Sequence, residues 1–367
     1  MSLIPPTVVE GEELRALRTE VREFVAAQRP TFGIDTWLSG WDEEFSRALG
    51  ERGWLGMTIP LEYGGHGRTF LERFVVTEEL LAAGAPVAAH WIADRQAAPS
   101  LLRFGTEEQK QRYLPAIARG ELFWAIGMSE PDAGSDLASV RTRAVRVDGG
   151  WRVTGTKVWT SGAHRAHAFF ALARTAPLDT EHRHAGLSQL IVELDTPGVE
   201  IRPIISMSGS HHFNEVHLAD VFVPDSRVLG SVGDGWHQVT AELSYERSGP
   251  ERFLSTYRLL AAMTQEDHPD VGRYVARLAG LHQMSTAVAG ALEKHENVST
   301  AAAVVKVLGT TLEGDIAELA SLLADETMSE ELREMGDRGV LQRPGFTLRG
   351  GTNEVLRGVI ARELGMR

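Results

Sequence analysis

The chain has 367 residues, more than one ordinary domain core holds, so two or three domains are expected. Its 37 basic and 50 acidic residues leave a net charge of −13, which argues against nucleic acid or an anionic membrane as the main partner. Cysteine is absent, which excludes disulfides, thiolate metal ligands and a cysteine nucleophile.

The first third reads as helical. Leu14, Leu17, Val21, Phe24 and Val25 recur at helical spacing, with Glu12, Glu13, Arg18 and Arg22 between them. The stretch from Gly53-Trp54 through Pro60 to Tyr63-Gly64-Gly65 is rich in turns. Thr106 with Gln109 makes a capping box ahead of an amphipathic segment over 107–118. Near residue 121 the texture changes. Segments 140–147, 151–158, 168–173, 188–194 and 213–223 are short and rich in β-formers, and Gly, Pro and Asp punctuate them. From Gly235 the helical period returns. Trp236, Val239 and Leu243 share a face, as do Leu308, Leu312, Ile316, Leu319 and Leu323, and a last helix is expected over 353–364. The fold class is therefore α+β and multi-domain. Residues 1–120 are an N-terminal helical domain, 121–230 a sandwich- or barrel-like β-domain, and 231–367 a C-terminal helical bundle. The N-terminal Met-Ser-Leu-Ile-Pro-Pro has no basic region, and no stretch approaches the roughly 20 apolar residues of a membrane span, so a cytoplasmic protein is expected.

Two motifs carry chemistry. Residues 129–136 read Ser-Glu-Pro-Asp-Ala-Gly-Ser-Asp, and 155–162 read Gly-Thr-Lys-Val-Trp-Thr-Ser-Gly. Together with the Gly53-Trp54, Pro60 and Tyr63-Gly64-Gly65 pattern, they resemble the acyl-CoA dehydrogenase family. The resemblance implies FAD as cofactor and an acyl-CoA thioester as substrate. It puts Met128 and Ser129 along the flavin ring, with Gly134 beside them, and Ser135 at both the flavin and the pantetheine arm. It sets Trp159 against the ring and Ser161 toward the hydride-accepting nitrogen. Small residues, hydroxyls and free backbone N–H groups are what a flavin-facing loop needs.

Many members of the family carry the catalytic Glu just before a C-terminal Gly-Thr. Here that loop is Arg349-Gly350-Gly351-Thr352, so Gly350 stands where the carboxylate would be. Isovaleryl-CoA and long-chain acyl-CoA dehydrogenases instead carry a Glu before an Arg on the first helix after the β-domain. Tyr245-Glu246-Arg247 matches that arrangement. Glu246 is the expected base, ahead of Glu242 and Glu354. A desolvated carboxylate has a raised pKa and more driving force to take an α-proton. Ser248-Gly249-Pro250 reads as a helix break just past it. The resemblance implies that Gly350 keeps a role as a backbone donor to the thioester oxygen, where enolate charge develops. The resemblance implies that Thr352 meets the cofactor and that Arg247 and Gly351 meet the substrate, and Thr352 also reads as an N-cap.

Relatives also use an Arg-…-Phe-Gly segment and a Gln-…-Gly-Gly segment to reach a neighbour's FAD. The matching regions, Leu259–Arg273 and Leu322–Glu326, hold neither. The expected assembly is a homodimer, a homotetramer or a heteromer with a related subunit, and an electron-transfer flavoprotein is the expected acceptor. A FAD-poor partner subunit, or an oxidase or monooxygenase of the same fold, is the alternative reading. The pairs His182/His184 and His211/His212 lack metal spacing, and no metal is expected.

Overall fold

A computed structural model describes residues 4–28, 33–247, 249–264, 268–324 and 328–366, with the backbone alone at 243–246. Helices come first: α1 (Glu12–Gln28), α2 (Thr36–Ser39), α3 (Glu43–Glu51), α4 (Phe70–Ala82), α5 (Ala88–Ile92), α6 (Ala98–Phe104) and α7 (Glu107–Ala118). A π-helical turn, Ala93–Ala97, joins α5 to α6. Seven strands follow: β1 (Trp124–Gly127), β2 (Arg143–Val147), β3 (Gly150–Lys157), β4 (Ala168–Arg174), β5 (Leu187–Glu193), β6 (Val199–Ile205) and β7 (His211–Pro224). Helices close the chain: α8 (Gly235–Glu246), α9 (Tyr257–Met263), α10 (Pro269–Glu293), α11 (Ser299–Leu323), α12 (Glu330–Leu348) and α13 (Asn353–Glu363). The helix–sheet–helix order is the one expected. No helix among the described residues is long and apolar enough to cross a membrane.

The chain packs as two compact units. One comprises 42–67 and 88–243, the other 1–41, 68–87 and 244–367. In the first unit the strands make one sheet in the order β1-β4-β2-β3-β7-β6, with β5 paired to β4. The sheet curls until β3, β4, β5 and β7 bury side chains in one cluster that includes Val153, Phe169, Leu190, Val192 and Val216. Phe170 and Ile191 point the other way, into a cluster with Leu101, Leu114 and Trp124. Burial on both faces explains why β4 reads as an unbroken apolar run from Ala168 to Ala173 rather than as an alternating strand. The capping box ahead of α7 forms as expected: Thr106 Oγ1 accepts from the Gln109 N–H at 3.2 Å, and Gln109 Oε1 accepts from the Thr106 N–H at 3.1 Å. Gln109 Nε2 then donates to the carbonyls of Ser226 and Val228, both at 2.8 Å, and so ties α7 to the segment after β7.

In the second unit α1 buries Leu17, Val21, Phe24 and Val25, the stripe its spacing dictates. Each such side chain contributes about 1.5–3 kcal/mol. Polar ties hold the same helices. Arg18 pairs with Glu10, Glu78 and Glu79, and His282 Nδ1 of α10 lies 2.6 Å from Glu78 Oε1. Glu10, Glu78 and His282 are close enough together to gather a cation, but the Arg18 guanidinium already fills that role.

A deeper polar knot surrounds α11. Glu313 is fully buried, and its Oε1 accepts from the Ser255 N–H at 2.8 Å. Burial pushes its carboxyl up to about 7, against the pull of Arg349. A carboxyl raised in this way stabilises the fold fully below its unfolded value of 4.5, and that contribution is lost as pH rises through about 7. Glu313→Gln should therefore be more stable than wild type above pH 7, by about 3 kcal/mol, and should match it near pH 4.5. Urea unfolding at the two pH values measures the difference.

Candidate functional site

The two sequence motifs lie side by side in the sheet unit, locked together by a buried ion pair. Lys157 ends β3 with no exposed surface, and its Nζ donates to Glu130 Oε1 at 2.8 Å and to the Met128 carbonyl at 3.0 Å. The Val158 N–H donates to the Ser129 carbonyl at 2.9 Å. Glu130 also accepts from the Arg141 N–H at 2.6 Å and the Thr142 N–H at 2.9 Å. Burial pushes the Lys157 amine down to about 8 against the pull of Glu130, so it still carries its proton at neutral pH. Burial alone would raise the Glu130 carboxyl, yet Lys157 and the backbone donors hold it below its ordinary value. Neither residue was singled out from the sequence. Strand parity was the available signal. Trp151, Val153 and Lys157 are alternate positions that all point inward, and an inward lysine needs a carboxylate.

The sheet unit also presents a surface suited to a planar aromatic group. Trp159 stands 57% exposed, with its backbone in the left-handed region at φ 59°. Its indole meets Phe213 edge-on at 5.6 Å. An exposed tryptophan in a strained conformation suits a ring that stacks or edges against a ligand. Beside it, Thr160 is fully buried, and its Oγ1 has no partner among the described residues. Ser161, Met128 and Ser129 are half-buried, and Gly134 and Ser135 are exposed. A side chain at Gly134 would meet nothing within 4 Å, so the loop is open there. An orphaned buried hydroxyl, an exposed indole and small residues around them fit a flavin edge.

The C-terminal candidates lie in the helical unit. Arg247, the first residue after α8, donates from Nε to the Gly350 carbonyl at 2.9 Å. That one bond joins segments 103 positions apart. Gly350 and Gly351 both adopt positive φ, 70° and 88°. Thr352 caps α13, its hydroxyl accepting from the Val355 N–H at 3.3 Å, as its N-cap reading requires. Arg349 anchors the loop from the other side. Its Nη1 donates to Asp35 at 2.7 Å, and its guanidinium lies over the Trp37 ring at 4.5 Å. The helix break expected at 248–250 is present, since α8 ends at Glu246 and a short 3-10 turn begins at Pro250. The Glu246 backbone is helical, but its side chain lies outside the described ones, and Ser248 lies outside the described residues. Arg252, just past the break, is fully buried with its guanidinium over Trp37 at 5.3 Å.

Gly351 allows a direct test of this loop. A β-carbon there would stand 3.0 Å from Arg247 Nη2, on a backbone that L-residues avoid. Gly351→Ala should lower unfolding stability by about 1–3 kcal/mol. Gly358→Ala is the control. It lies within α13, and a β-carbon there meets nothing within 4 Å, so urea unfolding should show no loss.

Comparison with known proteins agrees with the fold. Residues 11–121 match the family model "Acyl-CoA dehydrogenase, N-terminal domain", and residues 125–221 match "Acyl-CoA dehydrogenase, middle domain". Acyl-CoA dehydrogenase IpdE1 of Mycobacterium tuberculosis is 36% identical across 97% of this chain and 98% of its own length. Acyl-CoA dehydrogenase FadE34 of the same organism is 36% identical across 88% of this chain, which spans 46% of that protein. A solved structure described as "Tcur3481-Tcur3483 steroid ACAD" superposes with a TM-score of 0.84 at 31% identity, covering 100% of both chains. The ChsE4-ChsE5 complex from Mycobacterium tuberculosis gives a TM-score of 0.84 at 30% identity, covering 99% of this chain and 100% of the other.

Proposed function

The chain belongs to the acyl-CoA dehydrogenase family of oxidoreductases, and on that premise we propose that it carries out FAD-dependent α,β-dehydrogenation of an acyl-CoA thioester. The observation that supports this reading most directly is the Arg247–Gly350 bond. It ties the residue after the proposed base to the loop proposed to hold the thioester carbonyl.

In this reading Glu246 takes the α-proton. The Gly350 N–H faces the thioester oxygen, where negative charge grows as the proton leaves. It costs no reorganisation, because Arg247 and Arg349 fix the loop beforehand. Met128, Ser129, Trp159 and Ser161 would hold FAD at the sheet surface, with Gly134 and Ser135 in the loop beside them and Thr352 at the head of α13. Bound there, FAD supplies the acceptor for the β-hydride. An electron-transfer flavoprotein is the proposed reoxidant. Ser135, Arg247 and Gly351 are the proposed substrate contacts.

A second reading has its own support. The sequence lacks the two segments that relatives use to reach a neighbour's FAD, and one similar structure is a complex of two chains. The chain would then be a FAD-poor partner subunit. Flavin absorbance of the protein purified alone separates the two. Bound FAD in a near-equimolar amount supports the enzyme reading, and a protein that binds no added FAD overturns it. The substrate panel should include a steroid side-chain thioester, because one similar structure is described as a steroid ACAD.

A further inference from the structure

We propose that Asn214 of β7, with the imidazoles of His164 and His211, is a latch that positions the 159–162 turn, and that the latch opens when His164 takes a proton. The proposal rests on the flavin reading only in naming what the turn faces.

The contacts define the latch. Asn214 is fully buried. Its Nδ2 donates to the Thr160 carbonyl at 3.0 Å and lies 3.0 Å from His164 Nδ1. The same nitrogen lies 3.4 Å from the His212 carbonyl. Its Oδ1 lies 2.9 Å from His211 Nε2. The two imidazoles stack at 4.1 Å, 20° from parallel. Backbone bonds finish the turn: Thr160 and Asn214 exchange N–H and carbonyl at 3.0 and 3.1 Å, and the Gly162 N–H donates to the His212 carbonyl at 2.8 Å.

Donor and acceptor counting fixes the protons. The Thr160 carbonyl oxygen would repel an amide oxygen at 3.0 Å, so the amide must present its NH₂ there. The other hydrogen of that NH₂ then points at His164 Nδ1, which must be a bare acceptor. His164 is thus neutral, with its proton on Nε2. The amide oxygen accepts from His211 Nε2–H. One amide therefore reads the protonation of two rings and passes it to the backbone under Trp159 and Ser161.

A proton on His164 Nδ1 would set N–H against NH₂. The cationic and titratable groups around it also oppose it. Arg165 is on its own turn, and His211 faces it from β7, with His212 next along that strand. Burial first, then His211 and Arg165, hold the His164 imidazole below its ordinary value of 6.5, and the Asn214 amide would raise it only by turning its oxygen to the ring. The latch is therefore intact above pH 6.5 and is lost as pH falls through the lowered value. When the amide turns away, the Thr160 carbonyl loses its side-chain donor, and Trp159 loses support for its left-handed backbone.

Hydrogen exchange over 158–162, corrected for intrinsic rates between about pH 5 and pH 8, tests the latch with or without cofactor. Wild type should lose about tenfold in protection as pH falls below 6.5. His164→Gln keeps an acceptor for Asn214 but cannot titrate, so its protection should stay flat. Asn214→Asp replaces the donor with a carboxylate that accepts from a protonated His164, so protection should not fall as pH drops. FAD affinity should follow the same pH steps. A flat wild-type profile, or an unchanged step in His164→Gln, overturns the proposal. Failure of wild type to bind FAD would overturn the flavin reading instead and leave the exchange result standing.

Discussion

Replacing Glu246 by glutamine is expected to stop acyl-CoA from bleaching the flavin while leaving FAD bound. Glutamine keeps the shape and the hydrogen-bonding reach of the side chain but cannot accept the α-proton. Loss of a positioned general base costs about 10²- to 10⁴-fold in rate, so anaerobic stopped-flow reduction should slow by about 10³-fold. FAD content should not change, because the proposed flavin contacts are on other residues. Glu242→Gln is the informative comparison. Glu242 lies one helical turn earlier on α8 and is 4% exposed. If that variant loses reduction while Glu246→Gln keeps it, the base has been assigned to the wrong turn. The Arg247–Gly350 bond adds a further expectation: Arg247→Lys, without the planar fork, should raise KM and lower kcat together.

Lys157→Met should be the most damaging single change to the sheet unit. It leaves the Glu130 carboxylate, with 8% of its surface exposed, without its cation. Breaking a buried pair in this way costs about 3–5 kcal/mol, whereas replacing both members with uncharged groups costs far less. The double variant Glu130→Gln/Lys157→Met should therefore recover much of the stability in urea unfolding. FAD affinity should behave differently. Lys157 also holds the Met128 carbonyl, so both variants should bind FAD more weakly, by about tenfold. Equal stability of the single and double variants would show that the pair is not coupled.

The sequence made the architecture readable where a local rule acted alone. Thr106 and Gln109 announced α7, and the alternating and apolar runs announced β3, β4, β5 and β7. Two strands escaped. β1 has only four residues, too few for any period to show. β6 contains Pro203, which argues against a strand until its place is known. It lies at the end of the sheet order, where a missing N–H is tolerated. α12 was hidden by Gly336, Gly339, Pro344 and Gly345. At Gly339 the missing side chain is used for packing, since a β-carbon would lie 3.2 Å from that of Ala317 on α11. Leu308 was expected on the buried face of α11 with Leu312 and Ile316, yet it is 46% exposed, whereas they are buried.

At the candidate site, the residues that short motifs can name are surface hydroxyls, glycines and the indole. The residues that hold them were not legible. Lys157 needs Glu130 across 27 positions, Arg349 needs Asp35 across 314, and Asn214 needs His164 across 50. Such partners are chosen by the fold and leave no local spacing to read. The histidines at 211 and 184, whose spacing suggests no role, are engaged in ring stacks. His211 stacks on His164, and His184 stacks on Trp236 at 3.9 Å.

Removal of a proton and a hydride from an acyl-CoA, as proposed, would leave the flavin reduced. Anaerobic titration of the FAD-loaded protein with a panel of acyl-CoA thioesters, followed by the visible absorbance of the flavin, tests it most directly. The expected result is bleaching by at least one acyl class, with the matching enoyl-CoA as product. A flavin that stays oxidised with every thioester in the panel would contradict the claim.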